Sequence, residues 1–278
     1  MDSLAIAAVV LTGAAGLILG AAVRHRAFRK QMQEETRLLA QPGSDSSCFS
    51  AGEERLERLP PAVQRWLRLS HSLERAPLSL ATISQEGVLR TRPEGRWMPF
   101  RAEQHSVIGS PSFIWKAKIR AAPGLSIYGR DLYRNRAADM LIRLMGVFTV
   151  GHARGPEIDQ GSLVRYLAEI VWYPPAALSS HIVWESVGRD AAKAVITDGS
   201  ISAEGTFYFQ ESGLPVRFEA QRYKEAGGTC TLEEWSVRMG AYKKFQGILL
   251  PSQVEVGWNL RTGPFQWLRL EVKEARFR

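Results

Sequence analysis

Residues 201–224, ISAEGTFYFQESGLPVRFEAQRYK, alternate apolar and polar side chains over two segments that a Glu-Ser-Gly corner separates. Alternation of this kind buries one face of a strand and leaves the other in water, which is typical of an antiparallel sheet. The pattern continues in CTLEEWSVRMG (230–240), QVEVGWNL (253–260) and FQWLRLEVKEARF (265–277). The C-terminal part of the chain therefore predicts consecutive β-hairpins.

Similar segments precede this stretch in two places. HIVWESV (181–187) and KAVITD (193–198) come directly before it. An earlier group of five segments is LSLATIS (78–84), GVLRTR (87–92), WMPFRAEQHSVI (97–108), FIWKAKIRA (113–121) and LSIYGRDLYR (125–134). The sequence thus predicts about a dozen strands.

Few helices accompany these strands. EERLERLPPAVQRWLRLS (53–70) predicts an amphipathic helix that is interrupted at Pro60 and Pro61. Between the two strand groups we expect a helical interval. Its first part, ADMLIRLMGVFTV (138–150), is apolar and ambiguous, whereas GSLVRYLAEIVWYPPAAL (161–178) predicts a helix capped by Ser162. The expected fold is mainly β (α+β), with a strongly curved antiparallel sheet or half-open barrel that encloses one or two helices.

The N-terminus has a different composition. Leu4–Val23, LAIAAVVLTGAAGLILGAAV, contains no charged residue. At about 1.5 Å of helical rise per residue it would span roughly 30 Å, the thickness of the bilayer core. A cleaved signal peptide is the alternative, but its usual positive start is missing and the apolar run is long for one. We therefore predict an uncleaved, single-pass transmembrane helix.

Four basic residues follow this segment, and they predict its orientation. Arg24, Arg26, Arg29 and Lys30 lie directly after the span, whereas Asp2 is the only charge before it. The positive-inside rule places the C-terminal side in the cytoplasm, and a periplasmic or extracytoplasmic side is the alternative. The same residues can attract anionic lipid head groups.

The domain organisation follows from these segments. We expect a tail over residues 1–3, a transmembrane helix over 4–23, a basic juxtamembrane segment and linker over 24–52, and a single β-rich domain over 53–278.

The net charge of +8 does not indicate nucleic-acid binding. Basic residues are scattered, and in VRFEAQRYK (216–224) they alternate with apolar ones, which indicates strand faces in solvent. The chain also lacks a nucleophile elbow, a phosphate-binding glycine loop and paired metal-binding motifs, and its five histidines are dispersed. We therefore expect no metal and no cofactor.

One helix carries the densest group of polar residues. Arg165 and Glu169 are four residues apart, so they lie on one helix face and can pair. An ordinary surface ion pair is the simpler interpretation. If the helix lies inside the curved sheet, however, the pair would be partly buried, and Asp131 is a candidate for the same site. These three residues are the candidates for acid–base chemistry.

Aromatic residues supply the candidates for ligand binding. The chain has eight tryptophans, and most of them lie in predicted strands. Core packing is one explanation, and the lining of an apolar cavity is the other. The predicted ligand-binding residues are Tyr166, Trp172, Trp115, Trp97 and Trp184.

Several motifs resemble an uncharacterised bacterial family of the domain-of-unknown-function type. They are LPPAVQRWLR, GVLRTRPEGRWMPFRAEQ, FIWKAKI, GRDLY, GSLVRYLAEIVWYPPAAL and YKKFQGILLPSQVEVGW, spread over residues 59–260. The resemblance implies no activity, because the family has none established. Its strand-rich plan is similar to the half-open barrels of bacterial lipoprotein carriers, which hold acyl chains between a curved sheet and capping helices. A carrier of that kind acts outside the inner membrane, which fits poorly with a cytoplasmic domain.

Three functions are therefore open. The first is a membrane-anchored binding module with an apolar cavity for a lipid or another hydrophobic molecule. The second is an enzyme that uses Glu169, Arg165 and Asp131, which requires these groups to converge in a cleft. The third is a scaffolding domain for another membrane protein. An exposed apolar patch without a cavity would favour it over the first.

Overall fold

A single antiparallel sheet dominates the computed structural model, which describes residues 3–40, 53–75, 77–226 and 228–278. Side chains are described for residues 19–40, 54–75, 77–225 and 228–278. Within these ranges the sheet has thirteen strands: β1 Leu80–Leu89, β2 Met98–Val107, β3 Phe113–Ala122, β4 Leu125–Arg134, β5 Ala137–Leu144, β6 Phe148–Ala153, β7 Ile182–Gly188, β8 Ala191–Asp198, β9 Ile201–Phe209, β10 Pro215–Ala226, β11 Thr229–Phe245, β12 Ile248–Leu260 and β13 Gly263–Phe277.

The helices are few, as the sequence predicts. They are α1 Ser3–Leu39, α2 Glu53–Glu57, α3 Pro61–Ser70 and α4 Pro156–Glu169, and α4 continues into two short 3₁₀ helices, Ile170–Trp172 and Pro174–Leu178. The break between α2 and α3 falls at Pro60 and Pro61, and Pro61 is the first residue of α3. Proline suits that position because the first helical N–H has no acceptor within the helix.

The strand order shows how the two halves of the chain meet. It is β6-β5-β4-β3-β2-β1-β13-β12-β11-β10-β9-β8-β7, so β1 pairs with the last strand at the centre and β6 and β7 form the two edges. Close approach at this central pair requires Gly87 in β1, because a Cβ there would overlap the carbonyl oxygen of Arg269. The predicted segments 78–84 and 87–92 thus form one strand, with a bulge between Ser84 and Gln85.

The sheet is strongly curved, which confirms the predicted half-open barrel. Tyr133 Oη on β4 donates a hydrogen bond of 2.9 Å to Asp198 Oδ2 on β8. These strands are nine positions apart in the sheet, a separation of roughly 43 Å if the sheet were flat at about 4.8 Å per strand. Burial of the Tyr133 hydroxyl, together with the charge of Asp198, raises the tyrosine pKa well above its usual value.

The hollow of the sheet encloses α4. The helix packs against β8, β9 and β10 on one side and against β4 and β5 on the other, and Leu163, Val164 and Leu167 are fully buried. Trp66 of α3 fills a second part of the interior, where its ring stacks 6.3 Å from that of Phe207. Apolar burial of this kind is the main stabilising contribution to the fold.

Two predictions about the helical interval are wrong. Residues 138–150 form most of the β5–β6 hairpin. The apolar–polar alternation is missing in β5 because Leu141 is buried on one face while its neighbours Met140 and Ile142 line the cavity on the other. Ser162 does not cap α4, which begins six residues earlier at Pro156.

The second half of α1 lies on the convex face of the sheet. Phe28 and Leu39 are buried there, and Lys116 Nζ on β3 donates to Thr36 Oγ1 at 3.2 Å. Arg130 on β4 is also buried and lies 3.3 Å from Glu35 Oε2, within ion-pair distance. The juxtamembrane residues 24–39 are therefore part of α1, which packs on the sheet.

A charged cluster on β2 and β3 lies beside this contact. His105 Nε2 donates to Glu103 Oε1 at 2.8 Å, and Lys116 Nζ lies 2.9 Å from the same oxygen. The hydrogen bond from His105 and the charge of Lys116 lower the pKa of Glu103 to about 2, although burial acts in the opposite direction.

The predicted transmembrane helix stays a prediction, since the side chains of residues 4–18 lie outside the described part of the chain. In the described residues, no helix combines the length and apolar character that a membrane crossing needs. The predicted linker at residues 41–52 also lies outside the described residues.

Candidate functional site

An apolar cavity of about 290 Å³ lies between the concave face of the sheet and the helical segment 165–172. Eighteen of its 24 lining residues are apolar: Leu89, Met98, Trp115, Ile119, Ile127, Gly129, Met140, Ile142, Ala168, Val171, Trp172, Trp235, Val237, Val254, Val256, Trp267, Leu268 and Leu270. Most of the strand residues are spaced by an even number along their strand, because alternate side chains of a strand point to the same face. Trp267 and Leu268 are adjacent, at the irregularity in the pairing of β12 with β13.

The cavity reaches the protein surface at one side. Thr91 and Ile142 line it and are exposed, and Ile142 is 39% exposed. This mouth lies next to the ends of the β3–β4 and β5–β6 hairpins, since Ile127 and Leu144 are paired there. A molecule could therefore reach the cavity from the side of these hairpins.

Arg165 organises the polar part of the cavity wall. Its Nη1 donates to Asp131 Oδ2 at 2.6 Å, and its Nε donates to Glu169 Oε1 at 2.8 Å. The three side chains are only 12 to 16% exposed. Burial disfavours the charge on Arg165, but the two carboxylates outweigh it and raise the pKa of the guanidinium.

Glutamine side chains complete this network. Gln104 is fully buried, accepts a 3.2 Å hydrogen bond from Arg165 Nη2, and donates to Glu169 Oε2 at 2.6 Å. Gln85 accepts a 2.9 Å hydrogen bond from Trp115 Nε1. The guanidinium of Arg165 also lies over the rings of Phe113 and Trp115, at 5.0 and 5.2 Å from their centroids. All of these contacts hold Arg165 in one position.

A second arginine, Arg222 on β10, lines the same cavity in a different environment. Its Nε donates to the carbonyl oxygen of Gly161 at 2.8 Å, and its guanidinium lies 4.9 Å from the ring centroid of Trp235. Burial, and then the charge of Arg165, lower the pKa of Arg222 to about 10, although Asp131 and Glu169 act in the opposite direction. The protein therefore holds this cation in a site that opposes its charge.

Five of the predicted site residues lie together. Asp131, Arg165 and Glu169 converge on the polar part of the wall, and Trp115 and Trp172 line the cavity beside them. The cavity walls thus bring together residues from β3, β4, α4 and the first 3₁₀ helix. What these residues bind stays a prediction.

Three other predicted ligand-binding residues lie elsewhere. Tyr166 is buried and donates to the carbonyl oxygen of Val107 at 2.7 Å. Trp184 packs on Phe207 at 5.4 Å and donates to the carbonyl oxygen of Ala177. Trp97 is one residue from Met98 and so lies on the convex face, where its ring contacts Arg90 and Arg269.

Sequence reasoning missed Arg222 as a cavity residue, because it treated the arginines of VRFEAQRYK as solvent-facing. Arg217 does lie on the outer face, where it pairs with Glu219. Arg222 instead has the same parity as the buried residues Phe218 and Ala220, so it faces inward. That parity was the signal that could have identified it.

Asp131 and Glu169 are the carboxylates of the cavity wall. In the described part of the chain, no cluster of three or more His, Cys, Asp or Glu side chains could hold a metal ion. Three of the four oxygens of these two carboxylates, Asp131 Oδ2 and both oxygens of Glu169, accept hydrogen bonds from Arg165 or Gln104. An apolar chamber with a few polar groups on one wall suits an amphipathic ligand.

Comparison with known proteins identifies a family for this chain. The model of DUF6544, a family of unknown function, matches residues 49–270, which confirms the resemblance noted over residues 59–260. No curated protein matches the chain.

Solved structures give three distant matches. One, named as an outer membrane lipoprotein-sorting protein domain from Vibrio parahaemolyticus, is 13% identical, with a TM-score of 0.40 over 72% of this chain and 86% of that one. A LolA superfamily protein from Nitrosomonas europaea is 12% identical, with a TM-score of 0.41 over 78% and 93%. A DUF1329 family protein from Desulfovibrio piger is 10% identical, with a TM-score of 0.42 over 78% and 91%.

Proposed function

Since the chain belongs to DUF6544, a family of unknown function, we propose from its geometry that it is a membrane-anchored binding module for a lipid or other hydrophobic molecule. The ligand would lie in the cavity between the curved sheet and the helical segment 165–172.

The observation that carries this proposal is the cavity itself. A domain of this size normally fills its interior with its own side chains to near crystal density. Here the centre of the sheet leaves about 290 Å³ unfilled, between walls that are mostly aliphatic and aromatic. Walls of this kind accept apolar molecules, because burial of apolar surface is favourable.

The position of α1 supports the membrane part of the proposal. His25 lies just after the apolar segment Leu4–Val23, and its Nδ1 donates to the carbonyl oxygen of Met145 in the β5–β6 turn at 3.1 Å. The mouth of the cavity therefore lies at the end of the domain nearest to that segment. Apolar side chains on the same hairpin and on the neighbouring β3–β4 hairpin are 39 to 59% exposed: Leu125, Met145, Phe148 and Val150.

Charge supports an orientation for the anchored chain. Arg24, Arg26, Arg29 and Lys30 are exposed on α1, directly after the apolar segment. Basic residues at this position favour the cytoplasmic side and attract anionic head groups. We propose a cytoplasmic domain on this basis. A reporter fused after Arg278, active only in one compartment, would test the orientation.

Photochemical crosslinking would test the binding function. The full-length chain in its native membrane would be exposed to an alkyl probe that carries a diazirine near the middle of its chain, irradiated, and analysed by peptide mapping. Crosslinks are expected on cavity residues such as Met98 and Met140.

Matched variants make this test specific. Gly129→Phe projects a ring from β4 into the cavity, since a Cβ at Gly129 has only Trp115 nearby, at 3.4 Å. Gly240→Phe adds the same ring at an uncrowded position of β11 outside the cavity. The first should reduce crosslinking of the cavity residues and the second should not. Wild-type crosslinks that are confined to residues 4–23 would refute the proposal.

A further inference from the structure

The two arginines of the cavity differ in how completely they are neutralised. Arg165 has two carboxylates within 2.8 Å and an amide oxygen at 3.2 Å. Among the described residues, Arg222 has no carboxylate within ion-pair distance and one hydrogen bond, from Nε to Gly161. Its two terminal nitrogens, with four N–H groups, thus lack a protein acceptor in this part of the chain.

A second hydrogen-bond donor near Arg222 also lacks an acceptor. Trp235, whose ring lies under the guanidinium, is only 4% exposed, and its Nε1 has no acceptor among the described residues. Buried donors usually have partners, so the unpaired Nε1 of Trp235 indicates a missing acceptor at this wall. The lowered pKa of Arg222 agrees with this, because a bound anion would offset the cost of burying the cation.

The volume of the cavity limits the size of the apolar part of a ligand. At about 30 Å³ for each non-hydrogen atom, 290 Å³ holds roughly ten atoms. That is one alkyl chain of medium length, whereas two acyl chains would need a much larger space.

We infer that the cavity binds a single-chain amphiphile with an anionic head group, a carboxylate or a phosphate, and that Arg222 is the residue that binds the head group. This inference rests on the proposed function, since it assigns the ligand class of the same cavity. The alkyl chain lies among the aliphatic residues of the cavity, and the head group accepts hydrogen bonds from the terminal nitrogens of Arg222.

The opposite ligand charge is the main competing possibility. Arg165, Asp131 and Glu169 together carry one excess negative charge, which Arg222 balances at longer range. A cationic head group would have to compete with Arg165 and Gln104 for three of the four carboxylate oxygens. An anionic one meets free donors, so the hydrogen bonds favour the anion.

Competition against the crosslinking probe distinguishes these cases. Dodecanoate, dodecyl phosphate, dodecanol and dodecyltrimethylammonium would each be titrated against crosslinking of the cavity residues in membranes that contain the full-length chain. The two anions separate a carboxylate from a phosphate ligand, and dodecanol reports the alkyl chain alone. Each competitor partitions into the membrane to the same extent whichever variant is present. A comparison of its potency between wild type and variants is therefore independent of that partition.

Arg222→Met removes the charge and keeps an unbranched side chain, and Arg222→Lys keeps the charge. Arg217→Met is the matched control, because it removes a charge from the opposite face of the same strand. We expect the potency of the better anion to fall by at least about tenfold in Arg222→Met, with a smaller loss in Arg222→Lys. Dodecanol should be unaffected by any of the three substitutions.

The outcomes separate the two proposals. If all four competitors act equally on wild type and on Arg222→Met, or if the ammonium compound competes best, the anionic site is refuted and the binding function stands. If no competitor reduces crosslinking of the cavity residues, or none of these residues is crosslinked, the binding function is refuted as well. Loss of dodecanol competition in both Arg222 variants would show that the residue shapes the cavity, and it would overturn the assignment to the head group.

Discussion

Removal of Arg165 should destabilise the protein because the residue neutralises two carboxylates at once. In Arg165→Met, Asp131 and Glu169 would remain 15% and 12% exposed side chains without their cation. Glu169 would keep one hydrogen bond, from Gln104. Breaking a buried ion pair by removing one partner costs about 3 to 5 kcal/mol. Because the group retains some contact with solvent, we expect a loss near the lower end, about 3 kcal/mol.

A neutral version of the network serves as the control. The triple variant Arg165→Met, Asp131→Asn, Glu169→Gln buries no charge, so it should recover most of the stability lost by the single variant. Chemical denaturation of the full-length chain in non-ionic detergent, followed by circular dichroism, would give the free energy of unfolding for a two-state transition.

The pH dependence of the single variant adds an independent check. Protonation of an uncompensated carboxylate relieves the cost of burying its charge. The folded variant should then bind more protons than its unfolded state, and its free energy of unfolding should rise as the pH is lowered from 8. A cost below about 1 kcal/mol at pH 8, or a triple variant no more stable than the single one, would refute the reasoning.

Three further substitutions test other parts of the fold. Tyr133→Phe removes the hydroxyl that joins β4 to β8, and denaturation should show a loss of about 2 kcal/mol, since the acceptor is a buried carboxylate. Gly87→Ala should lower the free energy of unfolding by about 1 to 3 kcal/mol in the same assay, because the added Cβ would overlap backbone atoms of β13. Gly240→Ala, which has open space around the added Cβ, should lower it little. Equal effects would contradict the packing argument. The hydrogen bond from His105 lowers the pKa of Glu103 from 4.5 to about 2, so the stabilisation by the ionised Glu103 is present above about pH 4.5 and lost towards pH 2. The difference in the free energy of unfolding between wild type and Glu103→Gln should therefore shrink as the pH falls over that interval. A constant difference would show that the charge of Glu103 does not stabilise the fold.

The sequence predicted the sheet well because most of its strands have one apolar face. The alternation in residues 201–224 and 253–277 is clear, since the convex face there is polar. It is lost in β5, where Leu141 is buried on one face and Met140 and Ile142 line the cavity on the other. A strand that is apolar on both faces cannot be distinguished by periodicity from a buried helix.

The candidate site was predictable only in part, for a similar physical reason. Arg165 and Glu169 are related by helical spacing, which is a local pattern. The partner of a strand residue depends instead on which strands become neighbours across the hollow, and that is set by curvature. The only sequence pattern that indicates an inward-facing Arg222 is therefore its spacing of two and four residues from the buried residues Ala220 and Phe218.

The unpaired edges of the sheet have a mechanical consequence. A closed barrel can widen only by breaking a ladder of backbone hydrogen bonds. In this protein β6 and β7 end the sheet, and the two halves of the sheet near these edges are joined by side chains such as Tyr133 and Asp198 and by the packing of α4. Separation of the two edges would widen the hollow of the sheet without breaking a strand pairing. The free-energy cost of such a widening would be set by a few contacts, such as the hydrogen bond between Tyr133 and Asp198.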